Sequence, residues 1–178
     1  MVRMREISLD SVVDSGLRGL AEEVRGGTWT GRREREVVSY FAFRYLVPAC
    51  KAGTFLHEPT QIAVEVAVPQ LDQRIVRRLT KRATAKTQVC KDLVIWPRPG
   101  MTCWDSAGKP TVYPAAILEW KFGGRTLFEY DMQWLREYSK VLDDFVGYAI
   151  QVDPKQRDFT VAAARAEGGV LDEDWLRD

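Results

Sequence analysis

The chain predicts an α/β protein, a mixed central sheet flanked by helices. Three observations carry that expectation. Residues 61–70, "QIAVEVAVPQ", alternate at the period of a strand. Residues 92–96, "DLVIW", and 115–122, "AAILEWKF", are apolar runs of strand length, each closed by Pro or Gly. Stretches with helical spacing lie before and after these three.

Taken in order, residues 7–25 form an amphipathic helix weakened by Gly16 and Gly19. "GGTWTG" breaks the chain, and Thr30 serves as a cap for the next helix. That helix carries Val37, Val38, Phe41 and Tyr45 on one stripe and stops at Pro48. In the first strand Ile62, Val64, Val66 and Val68 share one side; Ala63, Glu65 and Ala67 share the other. Residues 71–91 begin as a helix and loosen. "DLVIW" is the second strand, 101–112 a hairpin loop with "SAGKP" at its tip, and "AAILEWKF" the third strand. "YDMQWLREYSKVLDDF" is a helix with Met132, Leu135, Tyr138 and Leu142 along one stripe. "VGYAIQV" is a fourth strand. "RDFTVAAARAE" fits helix or strand, and "GGVLDEDWLRD" reads as a peripheral tail. The 178 residues suit one domain: a helical extension over 1–30, a core over 31–165 and a tail over 166–178.

Composition excludes much chemistry. The 29% charged residues nearly cancel, to a net charge of +1, so affinity for a polyanion must come from local clustering. Cys50, Cys90 and Cys103 are far apart and make no CxxC, which suggests neither a zinc knuckle nor a disulfide framework. No run is apolar enough for a membrane span, so a cytoplasmic protein with no membrane partner is expected. The single histidine, His57, lies beside Pro59 in a loop-like stretch, without a zincin helix or a GxSxG elbow. Catalysis, if present, rests on carboxylates and lysine.

Glu119 and Lys121 stand within the apolar third strand. Residues two apart share a strand face, so both project with Ile117, opposite the core face of Leu118, Trp120 and Phe122. If the second and third strands are neighbours, Asp92, at the start of its strand, converges with Glu119. Two such carboxylates repel unless a cation lies between them. Mg²⁺ suits this arrangement, with Mn²⁺ as its substitute, because it takes oxygen ligands, keeps its waters and needs only one or two protein carboxylates. The bland alternative is that Asp92 caps a strand and Glu119 and Lys121 form an exposed ion pair.

"KDLVIW" followed by "ILEWKF" resembles the Asp…Glu-x-Lys signature of the PD-(D/E)xK nuclease superfamily, the restriction-endonuclease-like fold. "EREVVSYF" is similar to the glutamate-bearing helix of Holliday-junction resolvases within it, and "YDMQWLREYSK" to the helix after their third strand. The resemblance covers roughly residues 31–150 and implies a restriction-endonuclease-like α/β/α core. It implies that Asp92 and Glu119 hold the metal, with the backbone carbonyl of Trp120 as a further ligand. Lys121 then acts on the attacking water, and Glu34 touches the site through a metal-bound water. Glu34 is preferred to Glu36 because it lines up with Val38, Phe41 and Tyr45; Glu65 is a weaker candidate. Lys91 stands where the family often has Pro, and the segments before Asp92 and between Asp92 and Glu119 are longer than in small resolvases.

Arg74, Arg77, Arg78, Lys81 and Arg82 share a helical face in a stretch without acidic residues that leads to Asp92. Phosphates are the natural partner of such a row, and a solvated helix face is the ordinary alternative. "TGRRER" at 30–35 adds charge to the same surface, and Trp104 is the one tryptophan to test for base stacking. The expected function is metal-dependent hydrolysis of DNA phosphodiester bonds; a homodimer is compatible with it. The alternative is the same fold without catalysis, binding DNA or scaffolding a partner.

Overall fold

A computed structural model describes residues 8–81, 86–123, 129–155 and 160–178. Helix α1 (Leu9–Arg25) is followed by α2 (Glu34–Phe41), a π-type turn (Ala42–Leu46) and a short turn α3 (Val47–Ala49). Then come β1 (Ile62–Pro69), α4 (Gln73–Thr80), β2 (Gln88–Ile95), β3 (Ala116–Phe122), α5 (Glu129–Ser139), β4 (Val146–Val152), β5 (Val161–Glu167) and β6 (Val170–Arg177). The six strands lie side by side in sequence order. Only the β3–β4 pair is parallel; the other four pairs are antiparallel. The parallel step needs a crossover, and α5 supplies it. The mixed sheet flanked by helices is therefore the α/β architecture that the sequence predicts.

One face of the sheet, formed by Leu93, Ile95, Leu118, Trp120 and Ile150, packs against α1 and α2. The other, including Val94, Ile117 and Ala149, packs against α4 and α5. Gly16 and Gly19 do more than weaken α1. A Cβ at Gly16 would stand 3.0 Å from the Phe41 ring and one at Gly19 2.8 Å from Tyr45, so the two glycines let α1 lie close to the second helical segment.

Several boundaries differ from expectation. Thr30 does not cap α2. The helix starts at Glu34, where the Glu36 side chain accepts from the backbone N–H groups of Arg32 and Arg33, at 2.7 and 3.2 Å. Pro48 does not stop the helix at once; it sits in α3, where a missing N–H is tolerated in a first turn. The second strand begins at Gln88, so Asp92 lies inside β2 instead of opening it. The undecided segment is β5, and the expected peripheral tail is the edge strand β6. The backbone N–H groups of Thr160 and Val161 donate to the Asp178 carbonyl at 2.5 and 2.9 Å, and Leu176 is buried.

The first strand carries the most consequential correction. Ile62 and Val64 face α1 and α2, but Val66 and Val68 face α4 and α5. The switch occurs at Glu65, which has φ +55°. A left-handed non-glycine residue costs on the order of 1–3 kcal/mol. Directly opposite, β2 switches faces as well, since Leu93 belongs to the α1–α2 side whereas Lys91 lies over Trp134 of α5.

Because β6 belongs to the sheet, Leu176→Ala should destabilise the protein by about 2–4 kcal/mol in denaturant unfolding, as for other buried leucines. A peripheral tail would give a change within about 0.5 kcal/mol.

Candidate active site

β2 and β3 are hydrogen-bonded only where Leu93–Ile95 face Ala116–Leu118. Beyond that point the strands part, and the Trp120 N–H donates to Asp92 Oδ2 at 2.7 Å in place of a ladder bond. The parting lies toward the end of the sheet where β3 and β4 finish, β1 ends and β2 begins. Helix α4 follows β1 at this end, and α5 follows β3 from it.

Side chains from four elements gather here. Glu34 opens α2, and its carboxylate lies 3.7 Å from Lys121 Nζ. Asp131, in the first turn of α5, lies 3.6 Å from the same ammonium on its other side. Lys121 also donates to the Trp120 carbonyl at 2.8 Å. Trp120 itself projects the other way, as expected, and its ring packs on Phe41 with centroids 4.9 Å apart. Asp92, Glu34, Arg35 and Glu65 line an open cavity of about 470 Å³ beneath α2. Arg35 is ion-paired with Glu65 across it.

Glu119 is placed differently from the expectation. It projects with Ile117 to the α5 side, and the residue is only 5% exposed. There it forms a buried ion pair with Lys91, which is 2% exposed. The Lys91 ammonium sits 3.7 Å from the centre of the Trp134 ring, and Trp134 Nε1–H donates to Gln70 Oε1 at 2.8 Å. A desolvated cation over an indole face gains on the order of 2 kcal/mol, which helps to hold an ammonium in so dry a position. Glu119 and Asp92 therefore adjoin through their strands, but Glu119 is gripped by an internal cation instead of standing open beside Asp92.

The charges perturb one another. Burial pushes the Glu119 carboxyl up to about 8; Lys91 opposes the rise, and Asp92 and Asp131 add to it. Burial likewise raises Glu34, with Lys121 opposing. For Lys121 burial favours loss of the proton, but Asp131, Glu34, Asp92 and Glu119 outweigh it and raise its pKa. Lys121 is thus held as an ammonium and is poorly suited to be a general base at neutral pH.

Among the described residues no three acidic, histidine or cysteine side chains gather into a ready metal cage. Asp92, Glu119 and the Trp120 carbonyl offer oxygen donors on adjoining strands, the donor type that magnesium takes, although Glu119 already pairs with Lys91 and the Trp120 carbonyl already accepts from Lys121. Four carboxylates (Glu34, Asp92, Glu119 and Asp131) face two ammonium groups (Lys91 and Lys121). That surplus is what a divalent ion would neutralise, with waters filling the remaining positions.

Of the expected phosphate-binding residues, Arg74, Arg77 and Arg78 are exposed on α4, at the end of the sheet where β2 and β3 part. Lys81 is exposed too but is the left-handed residue that closes the helix, so it does not continue the helical row. Arg82 lies outside the described residues. His57 is a loop residue whose Nδ1 accepts from the Gly53 N–H at 3.2 Å. The sequence did not mark Asp131 as a site residue, and it showed Lys91 only as part of the basic run before Asp92, at a position where the resembled family often has Pro. An acidic residue in the first turn after the Lys121 strand was an available signal for the first; a lysine inside a basic run gave none for the second. No known protein family, characterised protein or solved structure matches the chain.

Two outcomes follow from the buried pair. Lys91→Met leaves Glu119 without its cation and should cost about 3–5 kcal/mol in denaturant unfolding above about pH 8, where Glu119 is ionised; adding Glu119→Leu should recover much of that. The second concerns pH. Glu119 binds its proton more tightly folded than unfolded, so its stabilising contribution is present below about 4.5 and lost as pH rises through about 8. Stability measured in EDTA should fall across that window, by at most about 1.4 kcal/mol per pH unit from this group. Glu119→Gln should flatten the profile.

Proposed function

We propose that this protein is a metal-dependent nuclease of the PD-(D/E)xK type, hydrolysing DNA phosphodiester bonds. The observation that carries the reading is the parting of β2 and β3 at Asp92 and Glu119, with Lys121 held between Glu34 and Asp131 beside the opening. The order of elements supports it: a glutamate-bearing helix, three antiparallel strands with α4 inserted between the first two, a helix and a strand parallel to the third.

In this reading Asp92, Glu119 and the Trp120 carbonyl would hold Mg²⁺, or Mn²⁺ in its place. The bound ion supplies Lewis acidity at the scissile phosphate and an activated water. Asp92 is oriented by the Trp120 N–H and Glu119 by Lys91. Lys121, kept charged by its acidic neighbours, donates to a phosphate oxygen or to the attacking water and offsets negative charge that builds in the transition state. Glu34 and Asp131 steady Lys121 from opposite sides. The arginines of α4 bind neighbouring phosphates through exposed guanidinium groups.

One observation favours a second reading, a nuclease-like fold without catalysis that binds DNA or scaffolds a partner: Lys91 already occupies a carboxylate that the hydrolytic reading requires. Cleavage assays separate the two. Supercoiled, linear and branched DNA should be cut with Mg²⁺ or Mn²⁺ and not with EDTA. Asp92→Ala or Lys121→Ala should lower the rate by about a hundredfold or more. DNA binding that weakens with salt, but no cleavage under any metal, would establish the second reading instead. Arg77→Glu with Arg78→Glu should weaken DNA binding in either case.

A further inference from the structure

Arg35 of α2 and Glu65 of β1 form an ion pair at the edge of the cavity. Arg35 is mostly exposed, at 82%, and an exposed pair of this kind contributes little to stability. Glu65 is nevertheless held left-handed inside a strand, between Val64 and Val66 and opposite Asp92. Its carboxylate enters a cavity where Glu34 and Asp92 already concentrate negative charge. A third carboxylate there is unfavourable unless it brings a cation with it, and the cation it brings is Arg35.

Arg35 follows Glu34, the residue that steadies Lys121, and Ser39, one turn on, lines the same cavity. A guanidinium fork accepts a phosphodiester as readily as a carboxylate, with similar two-pronged geometry. We propose that Arg35 is a phosphate-contacting residue of this site, and that Glu65 is an internal stand-in for phosphate that holds the guanidinium over the cavity until nucleic acid displaces it. The inference rests on the nuclease-type reading of the cavity but not on catalysis. It also gives the strained backbone at Glu65 a purpose: the same kink that turns β1 toward the opposite face turns this carboxylate toward α2.

The test is binding of a fluorescein-labelled duplex in EDTA, followed by anisotropy across a salt series. Arg35→Gln should weaken binding several-fold and reduce the slope of log affinity against log salt by about one. Glu65→Gln should tighten binding several-fold. Glu65→Gly, which suits a left-handed backbone, should do the same without loss of stability. In the Arg35→Gln background both Glu65 changes should have little effect, because their gain comes through Arg35. Equal gains with and without Arg35 would mean a general change of charge and would overturn the proposal, as would an Arg35→Gln protein that binds like the unaltered one. If Arg77→Glu with Arg78→Glu weakens binding while Arg35 and Glu65 have no effect, the nucleic-acid reading stands and this inference alone falls. If the duplex binds none of the proteins, both fall.

Discussion

The hydrogen bond from the Trp120 N–H to the Asp92 carboxylate makes the rest of the site workable. A strand inside a sheet cannot leave its backbone donors buried and unpaired without losing on the order of 1–3 kcal/mol for each. β3 keeps β4 along its whole length but loses β2 after Leu118. Asp92 repairs the loss with a side chain where a carbonyl would ordinarily stand, and a charged acceptor makes a stronger bond than a neutral one. The sheet can therefore divide in its middle without an orphaned amide at Trp120. The left-handed turn at Glu65 and the change of face in β2 between Lys91 and Leu93 belong to the same arrangement, since both strands must turn for their neighbours to change faces.

The division makes room for charge in a place that would otherwise be hydrophobic core. Glu119 and Lys91 could not each be buried alone. They are tolerated together because the carboxylate meets the ammonium, the ammonium meets the Trp134 ring, and the indole N–H meets Gln70. That chain ties β3 to β2, α5 and the end of β1. On the opposite side of the opening, Lys121 is balanced between Glu34 and Asp131, which come from α2 and α5 on the two faces of the sheet.

The sequence made the local periodicities legible. Leu118, Trp120 and Phe122 share the face that alternation assigns them, and Glu119 and Lys121 project with Ile117. Glu34 was distinguishable from Glu36 because it continues the buried stripe of α2; Glu36 proves to be the residue that closes the helix start. What could not be read depended on distant or conformational facts. Nothing in "AVEVAV" announces a left-handed glutamate, because glutamate has no special tolerance for that conformation, so the face switch in β1 was hidden. Lys91 looks like one more solvated charge until Trp134, from a helix far along the chain, covers it. The tail conceals an edge strand because "LDEDW" carries so much charge, a composition that protects an exposed edge from pairing with other chains.

The charge state of Lys121 limits what chemistry the site can perform. A lysine surrounded by apolar groups would lose its proton and could take one from water. Here Asp131, Glu34, Asp92 and Glu119 overcome that tendency, so the side chain remains a cation. A fixed cation beside an opening rich in carboxylates can bind and stabilise a phosphate oxygen, but it needs another group to activate the nucleophile. On the nuclease reading proposed above, a divalent ion on the carboxylates would fill that role, offsetting their charge and lowering the pKa of its water. Asp131 and Glu34 do most to keep Lys121 charged, and Asp92 and Glu119, the ligands of the proposed metal, add to them, so the charge of the lysine and the proposed metal site are linked.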